Sequence, residues 1–317
     1  MMSFTHPAPL ALLLTLAFSA CTRSPNVSAA EPAPQAAPVA SPAPAALPHV
    51  DGQRALQYTR EVVALGPRYP GSPGHAKTEA YLRRQLKADN LQEDTFTATT
   101  PAGHLRMTNF IAKFPGSKDG IIVVAGHYET LYERKDFVGA NDAGSSTGLL
   151  LELAHQLRGR KLDGYSVWLA WFDGEEAIRQ WSESDSIYGS KHLAAKWQRD
   201  GTLKKIKAFL LLDMVGDADL NIDRDANSTP WLEDVIYKAA ADLGHQGHFF
   251  ARSLPMEDDH MPFARVGVPV ADLIDFNYGP NNSYWHSPQD TLDKLSPQSF
   301  QIVGSVVLET IRLLNQG

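Results

Sequence analysis

Two adjacent glutamates, Glu175 and Glu176 in WFDGEEA, close an apolar segment and are the most specific chemical signal in the chain. Neighbouring acids at a strand end point in different directions, so one can bind a metal while the other faces a substrate. Groups of related type recur elsewhere. Asp142 stands in GANDAGSSTG, a Gly- and Ser-rich turn opening a helix, where an aspartate also serves as an ordinary cap. His127 follows VVAG, Asp213 follows LLL, and His286 follows Trp285 in SYWHSPQDT. Asp258, Asp259 and His260 form a second acidic cluster in MEDDHMPF. Singly, each has a bland explanation: a structural histidine, a cap, a solvated turn. Together, one Asp, one Glu and one His around a metal give three protein ligands and leave a fourth position open, the arrangement of catalytic rather than structural zinc. Cys21 is the only cysteine, so no thiolate set exists for a structural site. Such a zinc polarises a carbonyl or activates a water, and ligand type does not choose between them.

The elements that must position these groups alternate in an α/β rhythm. The spacing predicts helices over 51–65, 75–88, 145–158, 187–199, 230–243 and 297–315. Strands are predicted over 95–100, 105–114, 120–127, 166–173, 207–216 and 268–274. No internal repeat is visible. This pattern implies an α/β fold: a mixed, mostly parallel central sheet flanked by helices on both faces, with an antiparallel edge from the early strands. His127, Asp173–Glu176 and Asp213 each end a predicted buried strand, and ligands of open α/β sheets bind at those carboxyl ends.

Upstream of this domain the composition changes. Leu10 to Ala20 form an apolar run of signal-peptide length, too short to span a bilayer, ending at Cys21. The junction resembles a bacterial lipobox, although Phe18 stands where an aliphatic residue is usual and the leading segment has only His6 as a basic group. A plain secretory cleavage near Ala20 is the alternative. Residues 24–48, rich in Ala and Pro, read as an extended tether. The organisation expected is a signal peptide over 1–20, a lipidated Cys21 and tether over 21–48, and one catalytic domain over 49–317. That places the protein in the periplasm, membrane-bound only through the lipid on Cys21, and as a monomer. A net charge of −7 with no basic block argues against a nucleic-acid partner.

The domain resembles the metal-dependent, animal-type glutaminyl-peptide cyclotransferases (glutaminyl cyclases), whose fold is shared with zinc aminopeptidases. The resemblance runs over nearly all of 51–315. Its anchors are RYPGSPG, GHYET, FVGANDAGSSTGLLLELA, FDGEEAIRQWSESDSIYGSKHLA, LLLDMVGD, DDHMPFARVGVPV and YWH, and the long block after the paired glutamates is the most specific. It implies one zinc on Asp142, Glu176 and His286, with Glu175 as acid/base, Asp213 and Asp258 in a hydrogen-bond network with it, and Trp181 and Trp285 in the substrate pocket. The implied reaction cyclises an N-terminal glutamine (more slowly glutamate) of a peptide to pyroglutamate. The α-amine attacks a zinc-polarised γ-carbonyl, and Glu175 carries the proton to the leaving ammonia. An elevated pKa within the Glu175–Asp213–Asp258 cluster is expected from like-charge repulsion. Two positions depart from the family pattern: Asp272, where a histidine is usual, and Asn281, where an aromatic is expected on the pocket loop.

The main rival is a zinc aminopeptidase of one or two metals, in which His127 and Asp213 hold a second zinc and Asp142 bridges the pair. Every one of those residue types is present, so the ligand set leaves a second metal open. GHYET, however, puts Glu129 where those peptidases usually have Asp. A third reading, a non-catalytic peptide-binding lipoprotein, predicts damage to the acid network, yet Glu175, Asp213 and Asp258 all remain.

Overall fold

Strand segments that are apolar at every position are intelligible when both faces of the sheet are covered, and both are covered here. The computed structural model describes residues 49–316, together with Ala17 and Ala20. The expected signal peptide, Cys21 and tether otherwise lie outside the described residues. The chain begins with helices α1 (Gly52–Val63) and α2 (Pro73–Leu86), then strands β1 (Leu91–Thr100), β2 (Gly103–Phe114) and β3 (Gly116–His127). Helix α3 (Gly144–Leu157), strand β4 (Leu162–Phe172), helix α4 (Tyr188–Asp200) and strand β5 (Ile206–Asp213) follow. A short pair, β6 (Ile222–Asp225) and β7 (Phe249–Leu254), brackets α5 (Pro230–Asp242). The turn of helix α6 (Met261–Ala264), strand β8 (Val270–Ile274) and helix α7 (Pro297–Leu314) complete it.

The main sheet has the order β1-β2-β4-β3-β5-β8. Strands β4, β3, β5 and β8 run parallel, while β1 and β2 form the antiparallel edge. The period-two alternation of strand side chains divides the apolar residues between two cores. Ile122 and Val124 of β3 pack with α1, α3, α5 and α7; Ile121, Val123 and Ala125 pack on the other side with Trp197 of α4 and Phe263 of α6.

Local chemistry fixes where helices start. Asp51 accepts from the backbone N–H groups of Gln53 and Arg54, and Ser72 and Ser296 cap helices whose first residue is proline. The GSSTG stretch is explained by contact between helices. A Cβ on Gly148 would lie 2.1 Å from Thr59 Oγ1, so only glycine lets α1 cross α3 this closely.

The structure differs from the sequence expectation in several places, and β1, β3 and β4 each begin four residues earlier than expected. Strand β5 stops at Asp213, not 216, because Met214 takes a left-handed turn with φ 50°. Strand β8 begins at Val270 rather than 268. The β6–β7 pair and α6 were not anticipated. Strand β6 carries two buried aspartates, Asp223 bonded to Arg252 and Asp225 to the Met256 N–H, so it has no apolar run to recognise.

Candidate active site

The register of the parallel strands brings three strand ends to one rim. His127 ends β3 opposite Phe172 of β4, Asp213 ends β5 opposite Ile274, and Glu175 and Glu176 follow β4 directly. Asp142 arrives from the turn before α3, and His286 from the loop between β8 and α7. Ala143 (φ 72°), Met214 (φ 50°) and His286 (φ 51°), three of nine such non-glycine positions among the described residues, adopt left-handed backbone next to or on the rim residues. The Asp142 turn is pinned by buried Asp290, whose carboxylate accepts from the N–H groups of Asn141 (2.8 Å) and Asp142 (3.1 Å) and from the Tyr278 hydroxyl (2.8 Å). The buried guanidinium of Arg68 donates to the carbonyls of Tyr128, Val138 and Gly139, which fixes the chain entering that turn.

His286 Nε2 lies 3.2 Å from Asp142 Oδ2 and 3.2 Å from Glu176 Oε1. Both of those carboxylate oxygens are buried and accept no hydrogen bond. Buried polar atoms are nearly always paired, so two orphaned oxygens converging on one imidazole nitrogen mark a place for a cation. The donor set of two carboxylates and one imidazole suits zinc. A second group shares Asp142: His127 Nε2 is 3.3 Å from Asp142 Oδ1 and 3.2 Å from Asp213 Oδ1. Glu129, buried below, accepts from the Glu176 N–H at 2.9 Å and so holds the paired glutamates in place.

Electrostatics separates the two glutamates. Burial raises Glu175 well above the usual carboxylate range; Asp258 and Glu176 add to this, and His127 opposes it. Burial and Asp142 lift Glu176 to about 7. Asp258 is likewise lifted to about 7 by burial and Asp213, and Asp213 itself is raised mainly by burial. Burial works against charge on His286, but Glu176 and Asp142 outweigh it and bring the imidazole to about 10.

These groups face a cavity of about 560 Å³. Its buried floor includes Asp142, Glu175, Glu176 and Asp258, and its exposed rim includes Arg179, Trp181, Glu257 and Trp285. Trp181 and Trp285 keep 40% and 37% exposure at the cavity mouth, where their rings are placed to cover a ligand. Trp285 stacks over His286, ring centroids 3.9 Å apart, and meets Phe276 edge-on at 4.9 Å. The Trp181 loop is shaped by Asp185, whose carboxylate accepts from the N–H groups of Ile178, Arg179 and Gln180 and from the Tyr188 hydroxyl.

Residues 109–311 match the profile of Peptidase family M28. A glutaminyl-peptide cyclotransferase of Boiga irregularis is 31% identical over 291 residues, covering 78% of each chain. A glutaminyl cyclase structure from an Acidobacteriales bacterium is 54% identical, with a TM-score of 0.85 over 87% of this chain and 98% of that one. The Porphyromonas gingivalis glutaminyl cyclase structure is 26% identical, with a TM-score of 0.75 over 83% and 98%. The chain belongs to the glutaminyl cyclase family within Peptidase family M28.

Against the cyclase family pattern, the two departures fall in different surroundings. Asp272, on β8, is buried with neither carboxylate oxygen hydrogen-bonded, 3.8 Å from His260 Nδ1; burial and nearby Asp258 push its pKa well up. Asn281 sits in an exposed turn beside a separate surface hollow with Asp217 and Tyr284, and does not line the cavity. Asp173, grouped with the rim acids in the sequence, turns inward to His75 at 2.9 Å. Sequence reasoning gave no role to Asp290, Arg68 or Asp185. The available signals were the Asp four residues after His286, the RYPGSPG anchor and the DSIYGS run.

Proposed function

We infer that the chain is a glutaminyl-peptide cyclotransferase, converting the N-terminal glutamine of peptides to pyroglutamate with release of ammonia. The observation that carries this reading is one pocket that joins an orphaned Asp–Glu–His group to a separate buried carboxyl, Glu175, under two exposed tryptophans. The family is zinc-dependent, and Asp142, Glu176 and His286 would hold the ion. The chemistry zinc supplies when bound there is Lewis-acid polarisation of the γ-carbonyl. The chain's own residues do the rest. The acidic floor receives the α-ammonium, and Trp181 and Trp285 cover the side chain and exclude water. Once the ammonium has given its first proton to solvent, Glu175, acting as a carboxylate, takes a second from the α-amine, whose nitrogen bonds to the γ-carboxamide carbon. The same carboxyl returns that proton to the departing NH2 group as the C–N bond breaks. Both reacting groups belong to one residue, so most of the positioning is intramolecular. Asp258 raises the proton affinity of Glu175, and Asp213 raises that of Asp258.

A second reading, a two-metal aminopeptidase, draws on the His127–Asp142–Asp213 group. Parallel assays of purified protein with Gln-β-naphthylamide and Leu-p-nitroanilide separate the two. Ammonia and pyroglutamyl product without p-nitroaniline is expected; p-nitroaniline alone overturns the cyclase reading. We also infer export through residues 1–20 and lipid anchoring at Cys21 of a periplasmic monomer, supported by the apolar run and the lone cysteine. A membrane fraction that keeps Cys21→Ser as fully as wild type would sink the anchor.

A further inference from the structure

The catalytic floor accounts for the N-terminal residue of a substrate but not for the residues that follow it out of the cavity. Those residues meet the exposed rim, where the charges are unequal in availability. Glu257 is engaged by Arg265 at 3.0 Å. Arg179 forms no ion pair among the described residues, although it lines an acid-rich cavity with five carboxylates in its deeper lining. Its backbone is held firmly. The Arg179 N–H donates to Asp185 Oδ2 at 2.9 Å, within the carboxylate clamp that also binds residues 178 and 180. The loop therefore fixes the backbone of Arg179, two residues before Trp181, and leaves its side chain without an ion-pair partner among the described residues.

We propose that Arg179 selects substrates bearing an acidic side chain at the second or third position, immediately after the cyclising glutamine. This rests on the cyclase reading. A guanidinium is a planar fork, weakly hydrated and matched to a carboxylate, so an acidic side chain leaving the cavity gains paired hydrogen bonds there. A lysine at the same place meets like charge. The floor and the rim thus form two poles, one for the N-terminal ammonium and one for an acid a residue or two downstream. Trp181, next in the loop but one, supplies an aromatic surface between them.

The pair is solvent-exposed, so its effect is modest, about two- to fivefold in kcat/KM for each charge, and it weakens with salt. The test uses full-length, zinc-loaded protein and amidated peptides Gln-Glu-Ala-Ala, Gln-Ala-Glu-Ala, Gln-Ala-Ala-Ala, Gln-Lys-Ala-Ala and Gln-Ala-Lys-Ala, followed by ammonia release. For wild type, the Glu-to-Lys ratio of kcat/KM is expected to exceed one by several-fold at one of the two positions. It should fall several-fold in Arg179→Gln and further in Arg179→Glu. Because each ratio is taken within one preparation, partial misfolding of a variant does not alter it. A ratio unchanged by both substitutions, or a wild-type series flat at both positions, overturns the proposal while leaving cyclisation standing. No ammonia from any of the peptides overturns both.

Discussion

Two histidine–carboxylate groups draw acids from the same short turn, Asp173 for one and Glu176 for the other, and they have opposite hydrogen-bond balances. Around His75, every close carboxylate oxygen of Asp173 is used. One takes the imidazole at 2.9 Å, and the other takes the Thr108 N–H at 2.7 Å and the Tyr128 hydroxyl at 2.8 Å. Around His286, Asp142 Oδ2 and Glu176 Oε1 accept nothing although both are buried. Both groups are compact enough to hold an ion. The protein's own donors complete the first group and leave the second incomplete at a cavity wall. Proximity of acids and imidazole therefore does not identify a site; unfilled acceptors at an opening do.

The largest expected effect tests the open group's chemistry. Glu175→Gln keeps nearly the shape of the side chain but has no proton to exchange. Turnover of Gln-β-naphthylamide should fall by about 10²- to 10⁴-fold, the usual contribution of a general acid/base. Zinc content, measured by elemental analysis, should remain at the wild-type level. Loss of metal in this variant would mean that the two adjacent glutamates have exchanged roles, and that the orphaned oxygens were misread.

A paired substitution separates the two groups directly. His286→Ala should lose zinc, because it removes one of three ligands. His75→Ala should keep zinc and lose stability instead, since Asp173 is left buried without its imidazole. Breaking a buried pair in this way costs about 3–5 kcal/mol, read as a lower denaturation midpoint at unchanged slope. Zinc loss in His75→Ala with normal stability would reverse the assignment of the two groups.

Much of the architecture was legible because its cause is periodic. The apolar runs of β3, β4 and β5 and the 3.6-residue spacing of α1, α3 and α7 are repeated signals, and the predicted spans overlap the observed ones. The rim acids were legible for a related reason, since a charge ending an apolar strand is locally conspicuous. Asp173 shows the limit. Only the fold brings His75 from 98 positions away to neutralise it, and no local pattern distinguishes Asp173 from Glu175 and Glu176. Asp290 and Arg68 act through backbone N–H and carbonyl groups, which carry no sequence signature. Strand β6 escaped for the opposite reason: its aspartates are buried by pairing, as with Asp223 and Arg252, and pairing is long-range.

Asp185 is a third case, a carboxylate filled by the protein's own donors that nonetheless serves the open pocket. Its carboxylate oxygens accept three backbone N–H groups and the Tyr188 hydroxyl, and that loop carries Trp181. Burial works against its charge, but these four donors prevail and hold the carboxyl below its ordinary range. A depressed folded value means that the clamp contributes fully above the unfolded pKa of about 4 and is lost as pH falls through the folded one. Trp181 emission, taken as a difference spectrum against Trp181→Phe, should therefore stay constant from pH 8 to about 5 and change only below about 4. Asp185→Asn replaces an acceptor oxygen with a donor facing N–H groups, which should free the loop already at neutral pH. The cost of the lost hydrogen bonds corresponds to about a three- to tenfold rise in KM, with kcat reduced far less, because Glu175 and the Asp142–Glu176–His286 group are not touched. An equal loss in kcat and kcat/KM would place Asp185 in the chemistry itself, and would erase the distinction between carboxylates that build the site and those that react in it.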